Sequence, residues 1–299
     1  MTRKPVEIVR LAGESSKYKS ELEWWNLFLR GFMAGIYIAI GGALCIVCST
    51  DISARFGLGM AKLISGAVFP VGLIAIVLTG AELFTGDVML LTMGAMQGKT
   101  NWRKVLYVLI IVYIGNFAGS LFWAYITVVG PFQTGTTAGS ALNAFGYNAI
   151  KIAVEKTLSY KAAGLSGLWS ALVKGIGCNM LVSVAILLVL SSRSMIGKFF
   201  GAWFPIMAFV SSGLEHCVAN MFFIPTAMLC FFLHPGLDLL KIPEPLRTLL
   251  INDGGISTNG LFTWNLLPVT IGNVVGGIMI GAAYYVAFRK ELKSPQNEL

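Results

Sequence analysis

The sequence predicts an all-α integral membrane protein of six transmembrane helices, arranged as two inverted three-helix repeats with the second and fifth helices interrupted. Three observations predict it. The 299 residues are 56% hydrophobic and 12% charged, with a mean hydropathy of +0.75, whereas an average soluble domain carries about 25% charged residues. Apolar runs long enough to cross a bilayer as helices fall at 27–48, 61–93, 104–129, 168–190, 199–234 and 262–287; β-barrel strands would be about half as long and would alternate. The second and fifth runs are broken by matching acidic turns, Gly80-Ala-Glu82-Leu-Phe-Thr85-Gly86 and Gly213-Leu-Glu215-His216.

Residues 1–26 read as a cytoplasmic amphipathic helix from Val6 to Asn26, with Trp24 and Trp25 at the membrane interface. This segment lacks the short apolar core of a signal peptide, so the first span is expected to act as its own insertion signal. Residues 27–129 form the first repeat and 167–288 the second. Leu29-Arg30-Gly31 is matched by Val173-Lys174-Gly175, and Ile114-Gly115-Asn116 with Gly119 by Ile271-Gly272-Asn273 with Gly276. With an odd number of spans in each half, the second must insert upside down relative to the first. Glycines four apart (Gly31 and Gly35, Gly115 and Gly119, Gly272 and Gly276, Gly277 and Gly281) let helix backbones approach closely. Between the repeats, 130–166 opens with a Gly/Thr/Ser-rich stretch and becomes amphipathic from Leu142 to Lys161, which predicts a surface helix. Residues 289–299 are a tail. Arg3, Lys4, Arg10, Lys99, Arg103, Lys104, Arg193, Lys198 and Arg289 share one side, so the positive-inside rule puts both termini in the cytoplasm of a multi-pass cell-membrane protein.

Several function classes fall away. The charge of +8 is spread through the loops and is no nucleic-acid footprint. Cys45, Cys48, Cys178, Cys217 and Cys230 lie within apolar runs and read as packing. His216 and His234 cannot build the usual zinc site, and no phosphate loop or nucleophile elbow is present, so no metal or cofactor is expected. An intramembrane enzyme would need a nucleophile–base set, and Cys217, next to His216, points elsewhere on a helix.

What remains points to transport. Broken helices at equivalent places in two repeats mark where a transporter binds its substrate, since irregular backbone at membrane depth must line a cavity. Of 14 acidic residues, only Glu82, Asp87 and Glu215 fall at membrane depth, where an ionisable residue is a functional candidate. Glu82 and Glu215 read first as supports for the two turns, accepting from freed N–H groups. His216 fits two roles: a polar bond between helices, with Thr85 as its partner, or proton exchange with a passing weak acid.

The two turns, with Asn220-Met221-Phe222 after the second, resemble the signatures of the formate/nitrite transporter family. The likeness extends to Lys174-Gly175 with Cys178-Asn179, to Ser191 through Ser194, and to Asn265 through Asn273. The resemblance implies an aquaporin-like protomer, a homopentamer with one pore per protomer in membrane lipid, and formate or a similar small monovalent anion as substrate, passing with proton exchange. It implies apolar constrictions at Phe69, Leu73, Leu83, Phe84 and Phe209, the polar pair Thr85 and His216 between them, and polar pore positions at Asn179 and Asn265. Nitrite, hydrosulfide and larger monocarboxylates are the alternatives. One departure stands out: the family's outer-vestibule lysine would fall at Ala163, two residues from Lys161, and an insertion around Gly164 to Gly167 would bring Lys161 into its place.

Overall fold

The structure is a computed structural model that describes residues 2–135 and 141–293. The connector's residues 136–140 and the tail from 294 lie outside the described residues. Helices make up the fold: α1 (Pro5–Ser20), α2 (Trp24–Ser49), α3 (Ile52–Phe56), α4 (Leu58–Val68), α5 (Val71–Thr79), α6 (Phe84–Met96), α7 (Trp102–Val129), α8 (Ala144–Lys156), α9 (Leu158–Ala162), α10 (Gly164–Ser191), α11 (Met195–Ser211), α12 (Cys217–Leu233), α13 (Leu246–Asp253), α14 (Thr258–Leu261) and α15 (Leu267–Lys293). Five stretches among the described residues are long and apolar enough to cross a membrane: Trp24–Ser49, Leu58–Thr79, Trp102–Val129, Gly164–Ser191 and Thr258–Lys293. Phe84–Met96, Met195–Ser211 and Cys217–Leu233 are apolar but shorter. Leu165, Ile196, Phe232 and Met279 stand exposed on the outside, the exterior expected of a protein in lipid.

Two helix pairs organise the bundle, α2 against α7 and α10 against α15. Glycine makes both crossings possible. A Cβ on Gly31 would lie 3.0 Å from the Val112 carbonyl, and one on Gly175 would lie 2.8 Å from the Val269 carbonyl, so the backbones are in contact.

Both breaks appear where the acidic turns predict them, and both are cut the same way. Gly80 (φ 78°) and Gly213 (φ 72°) take the left-handed conformation that glycine adopts without strain. The next residue bonds back across the turn, Ala81 N–H to the Ile76 carbonyl at 3.2 Å and Leu214 N–H to the Phe209 carbonyl at 3.1 Å, as at many helix ends.

Several boundaries differ from expectation. Helix α1 stops at Ser20, and α2 already begins at Trp24. The second run starts at Leu58 and is divided again at Phe69-Pro70, where proline has no N–H to continue the ladder. The connector is two helices instead of one, and its face is built into the bundle: Ala149, Ile150, Ala153 and Val154 are all fully buried. The last span carries a π-helical turn at Phe262–Leu266, which contains Asn265.

Candidate pore site

Each break is held by an asparagine from the neighbouring long helix. Asn116 of α7 donates from Nδ2 to the Gly31 carbonyl (2.8 Å) and the Glu82 carbonyl (2.9 Å), and its Oδ1 accepts from Phe84 N–H (2.9 Å). Asn273 of α15 does the same for the Gly175 carbonyl (2.8 Å), the Glu215 carbonyl (3.0 Å) and Cys217 N–H (2.9 Å). Backbone groups that a broken helix would leave orphaned inside the bundle are thereby paired. Neither asparagine was among the expected site residues, although both stand in the repeated Ile-Gly-Asn motif that marked the two halves.

The breaks deliver Thr85 and His216 to one point. Thr85 Oγ1 lies 2.9 Å from His216 Nε2. His216 is also the N-cap of α12, and its Nδ1 accepts from Ala219 N–H at 3.0 Å. An amide hydrogen can only be donated, so Nδ1 must offer its lone pair, and the proton of the neutral ring sits on Nε2. Nε2–H therefore donates to Thr85 Oγ1, leaving the threonine hydroxyl hydrogen free for another acceptor.

A cavity of about 980 Å³ leads to this pair from the α8 end of the bundle. His216, Phe69 and Phe209 line it, with Phe209 stacked on His216 (5.8 Å between centroids) and edge-on to Phe69 (5.8 Å). Lys62, Lys151, Lys156 and Lys174 line the same cavity together with Asp51, Glu155 and Glu215. Leu73, Leu83 and Phe84 are buried away from it, with Phe84 edge-on to Tyr113 at 4.9 Å.

The Glu215 carboxylate bonds Lys156 (2.8 Å), Tyr160 (2.9 Å) and Asn220 (2.7 Å). Burial and the neighbouring Glu215 charge push the Tyr160 hydroxyl up, so it stays a donor. Asn265 accepts from Asn220 (2.7 Å) and donates to the Lys156 carbonyl (2.9 Å), which ties the π-turn into the same network. At the other break Glu82 pairs with Lys19 of α1, and Lys19 also meets Asp87 at 2.9 Å. Burial alone would push the Lys19 ammonium down, but Asp87 and Glu82 outweigh it and hold it raised. Both glutamates thus answer a lysine from an amphipathic helix, while the turn peptides go to the asparagines. Lys161 pairs with Asp253 and is not among the cavity-lining residues, where Lys156 stands instead. Lys19 and Lys156 could have been suspected as cations on the inward faces of amphipathic helices. Asn179 donates to the Asn273 carbonyl at 2.6 Å.

The formate/nitrite transporter family model matches residues 6–287. The chain is 33% identical over 300 residues to a probable formate transporter of Methanothermobacter thermautotrophicus, covering 97% of this chain and 98% of that protein. It is 30% identical over 292 residues to the formate channel FocA of Escherichia coli K12, covering 96% and 95%. Among solved structures, an FNT family ion channel superposes with a TM-score of 0.73 at 23% identity, covering 94% of this chain and 98% of that one. A pentameric formate channel with formate bound superposes with a TM-score of 0.68 at 29% identity, covering 89% and 98%. With its two glycine-cut breaks, their asparagine braces and a threonine–histidine pair at the foot of a cavity, this chain belongs to the formate/nitrite transporter family.

Proposed function

We propose that the protein conducts formate across the cell membrane, as a homopentamer with one pore per protomer and both termini in the cytoplasm. Each protomer crosses six times as two inverted three-helix repeats, a reading supported by the matched bonds of Asn116 and Asn273. The observation that carries the functional reading is the Thr85–His216 bond, 2.9 Å long, next to the Phe69–Phe209 edge-to-face pair at the inner end of a lysine-lined cavity.

Lysines at the mouth gather the anion, and the apolar ring strips its water at a cost that a bare carboxylate cannot easily meet. The free Thr85 hydroxyl donates to the arriving oxygen. A proton on that oxygen removes most of the desolvation cost, and neutral formic acid then passes Leu83, Phe84 and Leu73. Because Ala219 N–H occupies Nδ1, the ring carries a single proton, on Nε2. As the Thr85 hydroxyl proton goes to formate and Nε2–H goes to Thr85, a proton entering the cavity from solvent as hydronium restores Nε2, so that formate and hydronium leave as formic acid and water. His216 is accordingly a relay.

Uptake by proteoliposomes, measured for formate, nitrite, hydrosulfide and lactate across pH with wild type and His216→Ala, tests this. Formate is expected to move fastest, and the variant should lose at least about tenfold of the flux together with its pH dependence. Unchanged flux and pH profile in the variant would sink the proton relay. Faster nitrite, hydrosulfide or lactate would reassign the substrate.

A further inference from the structure

Beyond the Thr85–His216 pair, one face of α10 carries two buried polar atoms without a hydrogen-bond partner among the described residues, Asn179 Oδ1 and Ser183 Oγ. Both residues are fully buried. They are one helical turn apart, so their side chains are neighbours. Their place is fixed by packing. Asn179 Nδ2 donates to the carbonyl of Asn273, the residue that braces Glu215 and Cys217 on either side of His216. A Cβ at Gly277 would meet both the Asn179 amide and Val88, one turn after Thr85, and a Cβ at Gly86 would meet Ile186, beyond Ser183 on the same helix. The α10 face therefore runs alongside the first turns of α6, away from the cavity and toward the α1 end.

The equivalent positions of α2 are plain. Gly31 and Gly175 are matched by their asparagine bonds, which sets Gly35 against Asn179 and Ala39 against Ser183. In the first half the polar residue is Ser120, bonded to the Gly35 carbonyl at 3.3 Å; in the second, Asn179 faces Gly277. Packing explains the exchange of small and polar residues between helices, but it does not explain the orphaned Oδ1 or the hydroxyl at 183. Burying such atoms unpaired is costly.

We propose that Asn179 and Ser183 form a station that receives the undissociated carboxylic acid and rejects its anion, an inference that rests on the transport reading above. A carbonyl can only accept, so the Asn273 contact fixes the amide with nitrogen toward Asn273 and oxygen free. Asn179 Oδ1 is thus an acceptor without a donor, while Ser183 can donate. Acceptor plus donor is the complement of a carboxylic acid, whose O–H goes to Asn179 and whose C=O takes the Ser183 hydroxyl. A carboxylate offers acceptors only, and its charge would face the Asn179 lone pairs.

The test is formate flux in proteoliposomes from about pH 5 to 8 for wild type, Ser183→Ala, Ser183→Thr and Asn179→Leu, with nitrate, ionised throughout, as the anion control. Ser183→Ala is expected to lose roughly three- to tenfold of formate flux at every pH, the worth of one hydrogen bond, and Ser183→Thr to stay within about twofold of wild type. The nitrate-to-formate ratio should rise in Ser183→Ala and Asn179→Leu. Wild-type formate flux in Ser183→Ala, or parallel loss of formate and nitrate, overturns the station alone. Absence of formate flux in the wild type overturns the transport reading and the station with it.

Discussion

The two breaks share one frame and serve different ends. In both, glycine ends the helix, an asparagine from the adjacent long helix pairs the turn peptides, and a lysine from an amphipathic helix meets the glutamate. At the first break that lysine is Lys19, wedged between Glu82 and Asp87, with Arg30 at 3.6 Å from Glu82. Helix α1 is held over it by Gln97 to the Val9 carbonyl (2.8 Å), Lys99 to Glu14 (2.6 Å) and Arg3 to the Leu190 carbonyl (2.7 Å). At the second break Lys156 shares Glu215 with Tyr160 and Asn220, and the turn opens onto the cavity. Five residues after each glutamate stands Asp87 in one half and Asn220 in the other. The frame is common to both breaks. Charge and access were assigned separately to each half, and they leave the first break covered and the second in reach of solute.

The largest expected effect tests the frame. Asn273→Leu leaves the Glu215 carbonyl and Cys217 N–H without their asparagine partner, at about 1–3 kcal/mol each, and Asn116→Leu should cost the same at the other break. Thermal unfolding of the purified oligomer checks both, and a variant that melts like wild type would break the idea of a shared brace. Next come the lysines, which should differ. Lys19→Met strands the buried Asp87 carboxylate and leaves Glu82 only Arg30 at 3.6 Å, at about 3–5 kcal/mol, whereas Lys156→Met leaves Glu215 with Tyr160 and Asn220 and should cost roughly half as much. Equal losses of stability would erase the distinction between the two sites.

The smallest effect concerns pH. A raised Lys19 contributes stability that is fully present below its ordinary value of 10.5 and is lost only above it. Docking of α1, followed by the protection of its amides from hydrogen exchange, should hold unchanged from about pH 9 to 10. Loss of protection within that window would mean that Lys19 is not the latch.

Much of this was legible in the chain. The helical membrane class, the two breaks and the Thr85–His216 pairing rest on local or repeated features: hydropathy over about 20 residues, Gly-x-Glu turns, and motifs in the same order in both halves. The splitting of the connector into α8 and α9 was not legible, because the amphipathic pattern runs through Thr157 without interruption. From its spacing Lys161 was the lysine expected at the vestibule; the fold sends Lys161 to Asp253, and Lys156, which the spacing did not single out, reaches Glu215.

The sequence by itself determined that the chain is an apolar helical bundle and where two of its helices break, because hydropathy and glycine's left-handed turn are decided residue by residue along the chain. Only the tertiary structure decided which lysine neutralises which glutamate, that Asn116 and Asn273 brace the turns, and that His216 keeps its proton on Nε2. Each of these depends on atoms brought together by packing, such as Lys19 on Glu82, 63 residues apart, or on a side chain turned back to cap its own helix, as His216 does on Ala219. Linear spacing carries no record of either.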